Sequence, residues 1–352
     1  MTSTPSSSAS CPAQFRAGEA WLVHCDDTSP GITRKRLGNG WAYFDPTGKR
    51  IADRVEIERL NRVALPPAYR DAWFCLDGNG HILATGIDAR GRKQYRYHPE
   101  FRRQREDEKF AGCVRFGHLL PLVRRRVEDD LHGPGATRER AIASVVRLLD
   151  SGAIRVGNEA YVKANRSFGA TTLRMRHATV RGDTLRLRFK AKSGRLREMT
   201  ITDRSLARFV RKMGDLPGQH LFQYLDDMGE AHPVGSDDVN RYLAETMGES
   251  FTAKNFRTWH ASVIALSALA RADGILTVAQ VALDVSDRLG NTPAIARKSY
   301  IHPAVLALVE CQQKWRDTLQ LPRATRWLSR EERALIALID EAPDAGALLS
   351  VA

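Results

Sequence analysis

The sequence predicts an α+β protein: a small β-rich N-terminal domain, then a larger, mostly α-helical domain carrying one small three-stranded antiparallel sheet. Three observations predict it. Turn signals divide short alternating runs between Gly31 and Pro99, helical periodicity dominates beyond Pro99, and the period returns to two between His177 and Ile201. The chain is expected to divide into a disordered tail (1–15), a β-rich domain (16–100), a linker (101–112), a helical domain (113–325) and a C-terminal helix (326–352).

The tail is a Ser/Thr/Pro/Ala segment too poor in large apolar residues to fold alone. Gly38-Asn39-Gly40, Asp45-Pro46-Thr47-Gly48 and Asp77-Gly78-Asn79-Gly80 are the turns of the β-rich domain. In the helical domain Ala141, Ile142, Val145, Val146, Leu148 and Leu149 share one helix face, with Thr137 as cap and Gly152 as stop. The three short runs between His177 and Ile201 are divided by Arg181-Gly182-Asp183 and Lys192-Ser193-Gly194-Arg195, as in a β-meander. Further helices are expected from a cap at Ser236, from Thr252 toward Gly274, from Thr292-Pro293, and from Pro303 to Leu319. Ser329-Arg330-Glu331-Glu332 has the capping-box form and opens the terminal helix.

Lys and Arg total 54 against 41 Asp and Glu, a net charge of +13, so a polyanion is the first partner to consider, nucleic acid foremost. The excess is focused. Residues 151–215 hold 16 Lys or Arg and 5 Asp or Glu. Strand alternation puts Leu185, Leu187, Phe189 and Ala191 on one face and Arg186, Arg188, Lys190 and Lys192 on the other, with no unlike-charge partner expected. A phosphate-facing sheet and a solvated strand face both fit. The run Arg92-Lys93-Gln94-Tyr95-Arg96-Tyr97-His98 interleaves cations with groups that reach base edges, although a charge-protected edge strand has the same pattern.

Other classes lack a signal. The five cysteines (Cys11, Cys25, Cys75, Cys113, Cys311) are odd in number and form no C-x-x-C, and they read as reduced thiols. No paired-histidine zinc motif and no phosphate-binding glycine motif occurs, so metal, ATP and dinucleotide cofactors are not expected. No apolar run reaches 18 residues and the N-terminus lacks a signal-peptide pattern, so the expectation is a soluble protein without membrane contact.

Four ordered segments carry chemistry: Arg155-Val156-Gly157-Asn158-Glu159-Ala160-Tyr161 continuing through Gly169 and Thr171-Thr172-Leu173-Arg174; Phe189-Lys190-Ala191-Lys192-Ser193-Gly194; Thr252-Ala253-Lys254-Asn255-Phe256-Arg257-Thr258-Trp259; and Gly290-Asn291-Thr292-Pro293 followed by Tyr300. In order and spacing the set resembles the type IB DNA topoisomerases of the short, viral and bacterial kind, over roughly residues 30 to 320. A phosphodiester can be cut reversibly without metal or ATP if a nucleophile stores the bond, cations neutralise the phosphoryl oxygens and an acid protonates the leaving oxygen.

The resemblance implies that Tyr300 is the nucleophile forming a 3′-phosphotyrosyl link and that Arg155 and Arg257 clamp the phosphoryl oxygens. It makes Lys192 the general acid, with Lys190 two residues away on the same face, and puts Asn291 where many relatives carry histidine. It also implies duplex DNA as partner, gripped by a C-shaped clamp, with Gln94, Tyr95, Tyr97 and Tyr161 as contacts. A monomer is expected, cytoplasmic or, in a bacterium, nucleoid-associated. Asn158 stands where some viral relatives have a basic, site-reading residue. Two alternatives stay open: a tyrosine recombinase, which carries H-x-x-R where this chain has Lys254 before Arg257, and a non-enzymatic basic nucleic-acid-binding protein.

Overall fold

The computed structural model describes residues 14–17, 20–216 and 218–343, together with 345 and 348. Residues 1–13, most of the expected tail, lie outside the described residues. The chain divides into two compact units, Met1–Glu108 and Lys109–Ala352.

In the first unit β1 (Gln14–Ala17) and β2 (Ala20–Val23) form a hairpin, so the last two residues of the expected tail belong to a strand. Strands β3 (Ile32–Leu37), β4 (Gly40–Phe44), β5 (Arg70–Phe74), β6 (Ile82–Ile87) and β7 (Lys93–Tyr97) make an antiparallel sheet in the order β4-β3-β5-β6-β7. Gly38-Asn39 is the two-residue loop between β3 and β4, a position where Gly38 uses its positive φ of 57°. A helix absent from the sequence reading, α1 (Arg54–Arg62), is capped by Asp53 and buries Leu60 against Ile32, Tyr43 and Phe74. Its nine residues are too few to show helical periodicity among so many turn signals.

Residues 101–112, expected as a linker, lie inside the 34-residue helix α2 (Pro99–His132). The segment looks unstructured because its apolar stripe begins only at Phe110, continuing through Cys113, Phe116 and Leu120. Ahead of that stripe, i,i+3 and i,i+4 contacts such as Arg103–Glu100 and Gln104–Glu108 support the helix.

The second unit follows the expected order, with α3 (Arg138–Gly152) capped by Thr137 and then α4 (Glu159–Asn165). The meander is β8 (Ala178–Arg181), β9 (Thr184–Lys190) and β10 (Leu196–Thr202), β9 central and all pairs antiparallel. Helix α5 (Arg204–Met213) and a small hairpin, β11 (Gln223–Leu225) with β12 (Ala231–Pro233), lead to α6 (Ser236–Met247). Gly235, and not Ser236, is the N-cap of α6: Ser236 is already helical, and the Gly235 N–H donates to the Asp238 carboxylate.

Then come α7 (Ala253–Arg271), α8 (Val278–Leu289), α9 (Pro293–Ser299), α10 (Pro303–Thr318) and α11 (Arg330–Glu341). Helices α4, α5 and α8 and the β11–β12 hairpin were not read from the sequence. One apolar core runs through this unit around the fully buried Trp259, against which Gly117 leaves no room for a Cβ: one would lie 2.3 Å from the indole. Leu335 and Ile336 of α11 belong to the same core, so the terminal helix is part of this unit and not an appendage. A buried ionic hub fixes it there. Arg124 of α2 donates to both oxygens of Asp150 (2.8 and 2.9 Å), to both of Glu332 (2.7 and 2.9 Å) and to the Trp327 carbonyl, while the Trp259 indole donates to Glu332 at 3.1 Å.

Candidate active site

The Arg155 segment is held by its backbone. Beyond α3 the chain lies against residues 169–172: the Ala170 N–H donates to the Arg155 carbonyl (2.8 Å) and the Thr171 N–H to that of Val156 (2.7 Å), which also accepts from the Thr171 hydroxyl (3.0 Å). The two segments approach too closely for side chains. A Cβ on Gly169 would lie 2.6 Å from the Arg155 carbonyl oxygen, and Gly157 has φ of +100°. The glycines and threonines of the first motif thus fix the backbone from which Arg155 projects. Asn158 spends its side chain on capping α4, accepting from the Ala160 N–H at 2.8 Å.

Arg257, Asn291 and Tyr300 converge with Arg155 at the C-terminal end of α8. Gly290 ends that helix in the left-handed region (φ 64°), Asn291 turns inward, and Thr292 caps α9 with Pro293 as its first residue. Tyr300 follows α9 as its C-cap, held from behind where Lys109 donates to the Ser299 carbonyl at 2.9 Å. Arg257, only 3% exposed, donates to the carbonyls of Ala153 (2.6 Å) and Leu289 (3.1 Å) and to Asn291 Oδ1 (3.1 Å). Arg155 donates to the same Oδ1 at 2.5 Å.

Both arginines therefore share the Asn291 amide oxygen. Asn291 Nδ2 and Arg257 Nε, both buried, have no hydrogen-bond partner among the described residues. Unpaired buried donors of this kind are costly unless an acceptor meets them in function.

The electrostatics agree with that geometry. The Arg257 guanidinium lies 4.9 Å from the centre of the Tyr300 ring. Burial alone would push the Tyr300 phenol up, but Arg257, Arg155 and Lys254 outweigh it, and the phenol titrates below its ordinary value. Arg257 itself is brought down to about 10, chiefly by burial and then by the charge of Arg155. Among the described residues no carboxylate forms an ion pair with Arg155 or Arg257.

Lys192 stands apart from these four. It is exposed on the turn between β9 and β10, where the Ala191 N–H donates to the Arg195 carbonyl at 2.8 Å and Ser193 and Gly194 have positive φ (65° and 73°). Two arginines that sequence reasoning missed tie this hairpin to the site. Arg195 donates to the Asn291 carbonyl at 2.7 Å, and Arg197 donates to the carbonyls of Asp287 (3.0 Å) and Arg288. With Arg257 on Leu289, two guanidinium groups cover three open carbonyls at the negative end of α8, and Arg195 covers that of Asn291 just beyond it.

The other candidate contacts are more dispersed. Tyr95 and Tyr97 are exposed on the edge strand β7, their rings stacked at 5.7 Å. Gln94 lies on the opposite face of that strand and donates to Asp88 at 3.1 Å, so the structure does not group it with the tyrosines. Tyr161 is exposed on α4. Arg186, Arg188 and Lys190 point outward from β9 while Leu185, Leu187 and Phe189 are buried, as alternation requires. Arg188 does have an acidic partner, contrary to expectation: Glu198 faces it across the ladder at 2.8 Å. Among the described residues no cluster of three or more His, Cys, Asp or Glu could hold a metal ion, and no helix is long and apolar enough to cross a membrane.

The chain matches two family models: "Eukaryotic DNA topoisomerase I, catalytic core" over residues 98–312 and "Bacterial DNA topoisomerase IB, N-terminal domain" over residues 40–88. It is 30% identical over 294 residues to a DNA topoisomerase 1B of Acanthamoeba polyphaga mimivirus, covering 80% of this chain and 88% of that protein. It is also 22% identical over 271 residues to a DNA topoisomerase 1B of vaccinia virus (strain Copenhagen), covering 73% and 83%. A DNA topoisomerase 1 of Mycosarcoma maydis matches at 29% identity over 46% of this chain and 18% of its own length.

Proposed function

Because the chain belongs to the type IB DNA topoisomerase family, we propose that it relaxes supercoiled duplex DNA by cutting one strand through a 3′-phosphotyrosyl intermediate, without ATP or a metal ion. The observation that carries this reading is the pair of unpartnered buried donors, Asn291 Nδ2 and Arg257 Nε, beside a tyrosine whose phenol is lowered by its cationic neighbours. Two guanidinium groups and an amide are suited to the charge that builds on non-bridging phosphoryl oxygens.

In this mechanism Tyr300 Oη attacks phosphorus, its proton leaving to solvent, and the bond from phosphorus to the 5′-oxygen breaks. Arg155, Arg257 and Asn291 Nδ2 donate to the non-bridging oxygens throughout. Lys192 gives a proton to the departing 5′-oxygen, so the cut strand ends in a 5′-hydroxyl. Resealing is the reverse, with that hydroxyl attacking the phosphotyrosine and Lys192 recovering the proton. Nothing in the cycle consumes a nucleotide, because the covalent link conserves the bond.

The test is relaxation of plasmid DNA in EDTA without ATP, paired with detergent trapping of the covalent adduct. Relaxation of positive and negative supercoils under those conditions is the expected result, and an absolute requirement for Mg²⁺ or ATP overturns the proposal. Tyr300→Phe should lose the adduct while keeping DNA affinity; an adduct formed by that variant would make another residue the nucleophile.

A further inference from the structure

We propose that Arg195 is a positioning residue that sets the reach of the Lys192 amine by fastening its turn to the Asn291 segment. The inference rests on the reading of Lys192 as general acid. Residues 191–195 form a closed turn, shut by the hydrogen bond from the Ala191 N–H to the Arg195 carbonyl at 2.8 Å. Lys192 lies inside that turn. The residue that shuts it also reaches out of it, since the Arg195 guanidinium donates to the Asn291 carbonyl at 2.7 Å.

Asn291 receives a guanidinium from each side. Its backbone oxygen takes Arg195 from the hairpin, and its side-chain oxygen takes Arg155 and Arg257. One asparagine thereby joins the groups that neutralise the phosphoryl oxygens to the turn that carries the acid. Arg197 adds a second fastening two residues on, at the Asp287 and Arg288 carbonyls. Ala191 packs against the core, but Lys192, Ser193 and Gly194 are exposed and the last two have positive φ, so these contacts hold a tip that has little packing of its own.

General acid catalysis needs the proton within hydrogen-bond reach of the leaving oxygen, so a turn released at this point loses rate through Lys192 and not through the oxyanion contacts. A guanidinium bonded directly to a phosphate of the DNA would behave differently, because its loss would weaken binding and slow every substrate alike.

Single-turnover cleavage of a short duplex separates these roles, comparing an ordinary 5′-oxygen leaving group with a 5′-bridging phosphorothiolate, whose thiolate departs without a proton. Arg195→Ala should slow cleavage of the ordinary duplex on the order of 10- to 100-fold, the scale of misplacing a catalytic group by about an ångström. The defect should largely vanish on the phosphorothiolate. Arg195→Lys, which keeps one donor for the Asn291 carbonyl, should recover much of the rate. Arg195→Ala combined with Lys192→Ala should be no slower than Lys192→Ala alone.

Equal slowing of both substrates by Arg195→Ala, with Lys192→Ala still rescued by the thiolate, overturns the positioning role and leaves the acid assignment standing. If Lys192→Ala itself slows both substrates equally, the acid assignment falls and takes this proposal with it. Additive defects in the double variant likewise overturn it.

Discussion

Substituting Asn291 tests the centre of the site. Its amide does two jobs: Oδ1 accepts from Arg155 at 2.5 Å and from Arg257 at 3.1 Å, and the buried Nδ2 is left to donate. Asn291→Ala removes the donor and the shared acceptor together. Loss of one preorganised donor to a developing oxyanion costs about 10²–10³ in the chemical step, or about 2.7–4 kcal/mol. Arg257 keeps its carbonyl partners at Ala153 and Leu289 and so stays in place, which bounds the loss near that range. Arg155 loses its one side-chain anchor on Asn291, which puts the expectation at the upper end.

Asn291→Asp discriminates further. The carboxylate would still accept from both arginines, yet it would neutralise them and set an anion where the phosphate must lie, so it should be slower than alanine. Asn291→His, with one ring nitrogen to accept and one to donate, should retain more activity than either. Single-turnover cleavage with all three variants measures the series. Alanine at the wild-type rate, or aspartate faster than alanine, would refute the reasoning and return Asn291 to the role of a turn residue before α9.

The remaining expectations concern pH, salt and stability. The cleavage rate should climb with pH and level off below the value of about 10 for free tyrosine, because Arg257, Arg155 and Lys254 together hold the phenol down against burial. Lys254→Ala should move that break to higher pH, and an unmoved break would remove Lys254 from the set. Affinity for non-specific duplex should fall with salt with a log–log slope of at least about 4 in magnitude if five or more phosphates are neutralised; a flat response in a filter-binding titration would contradict it. Arg124→Ala strands Asp150 and Glu332 in the interior and should cost about 3–5 kcal/mol in urea unfolding. Burial would raise the Asp150 carboxyl, but Arg124 and His260 overcome it, so its folded pKa is depressed. Its contribution is therefore complete above the unfolded value of about 4 and lost as pH falls below it; acid unfolding of wild type and Arg124→Ala at one midpoint would exclude the hub.

Local rules made much of the fold legible. Thr137, Thr292 and Ser329 announce their helices because a side-chain cap lies next to the residues it caps, and β9 reveals its buried face by alternation alone. Helix α8 was equally legible, with a start in the Thr277–Gln280 capping box, a stop in Gly290 and one buried stripe of Val281, Ala282, Val285, Ser286 and Leu289; only its small residues, Ala282 and Ser286, blunt that pattern in the sequence. The four central site residues were reachable through ordered motifs, although no local rule brings Arg155 to Asn291. Arg195 and Arg197 escaped because their partners are backbone carbonyls, which any residue supplies and no motif marks. The Arg188–Glu198 pair depends on the register of the β9–β10 ladder, and that register is set by the length of the turn between them. Gln94 was the avoidable miss, since the period of two already separates it from Tyr95 and Tyr97.

The partners of the site arginines have a consequence for the protein on its own. Arg155, Arg195, Arg197 and Arg257 rest on neutral oxygens, and among the described residues none of them is paired with a carboxylate. Carbonyl dipoles hold such groups in place without cancelling their charge, and the depressed pKa of Arg257 records how poorly that charge is tolerated where it sits. The free molecule thus holds uncancelled positive charge around the buried Arg257, with Arg155 and Arg197 half-buried and Arg195 exposed beside it. An anion seated there cancels it. The DNA-bound protein should accordingly melt higher than the free one, and by more than its surface contacts alone supply, so that the fold is completed by the molecule it acts on.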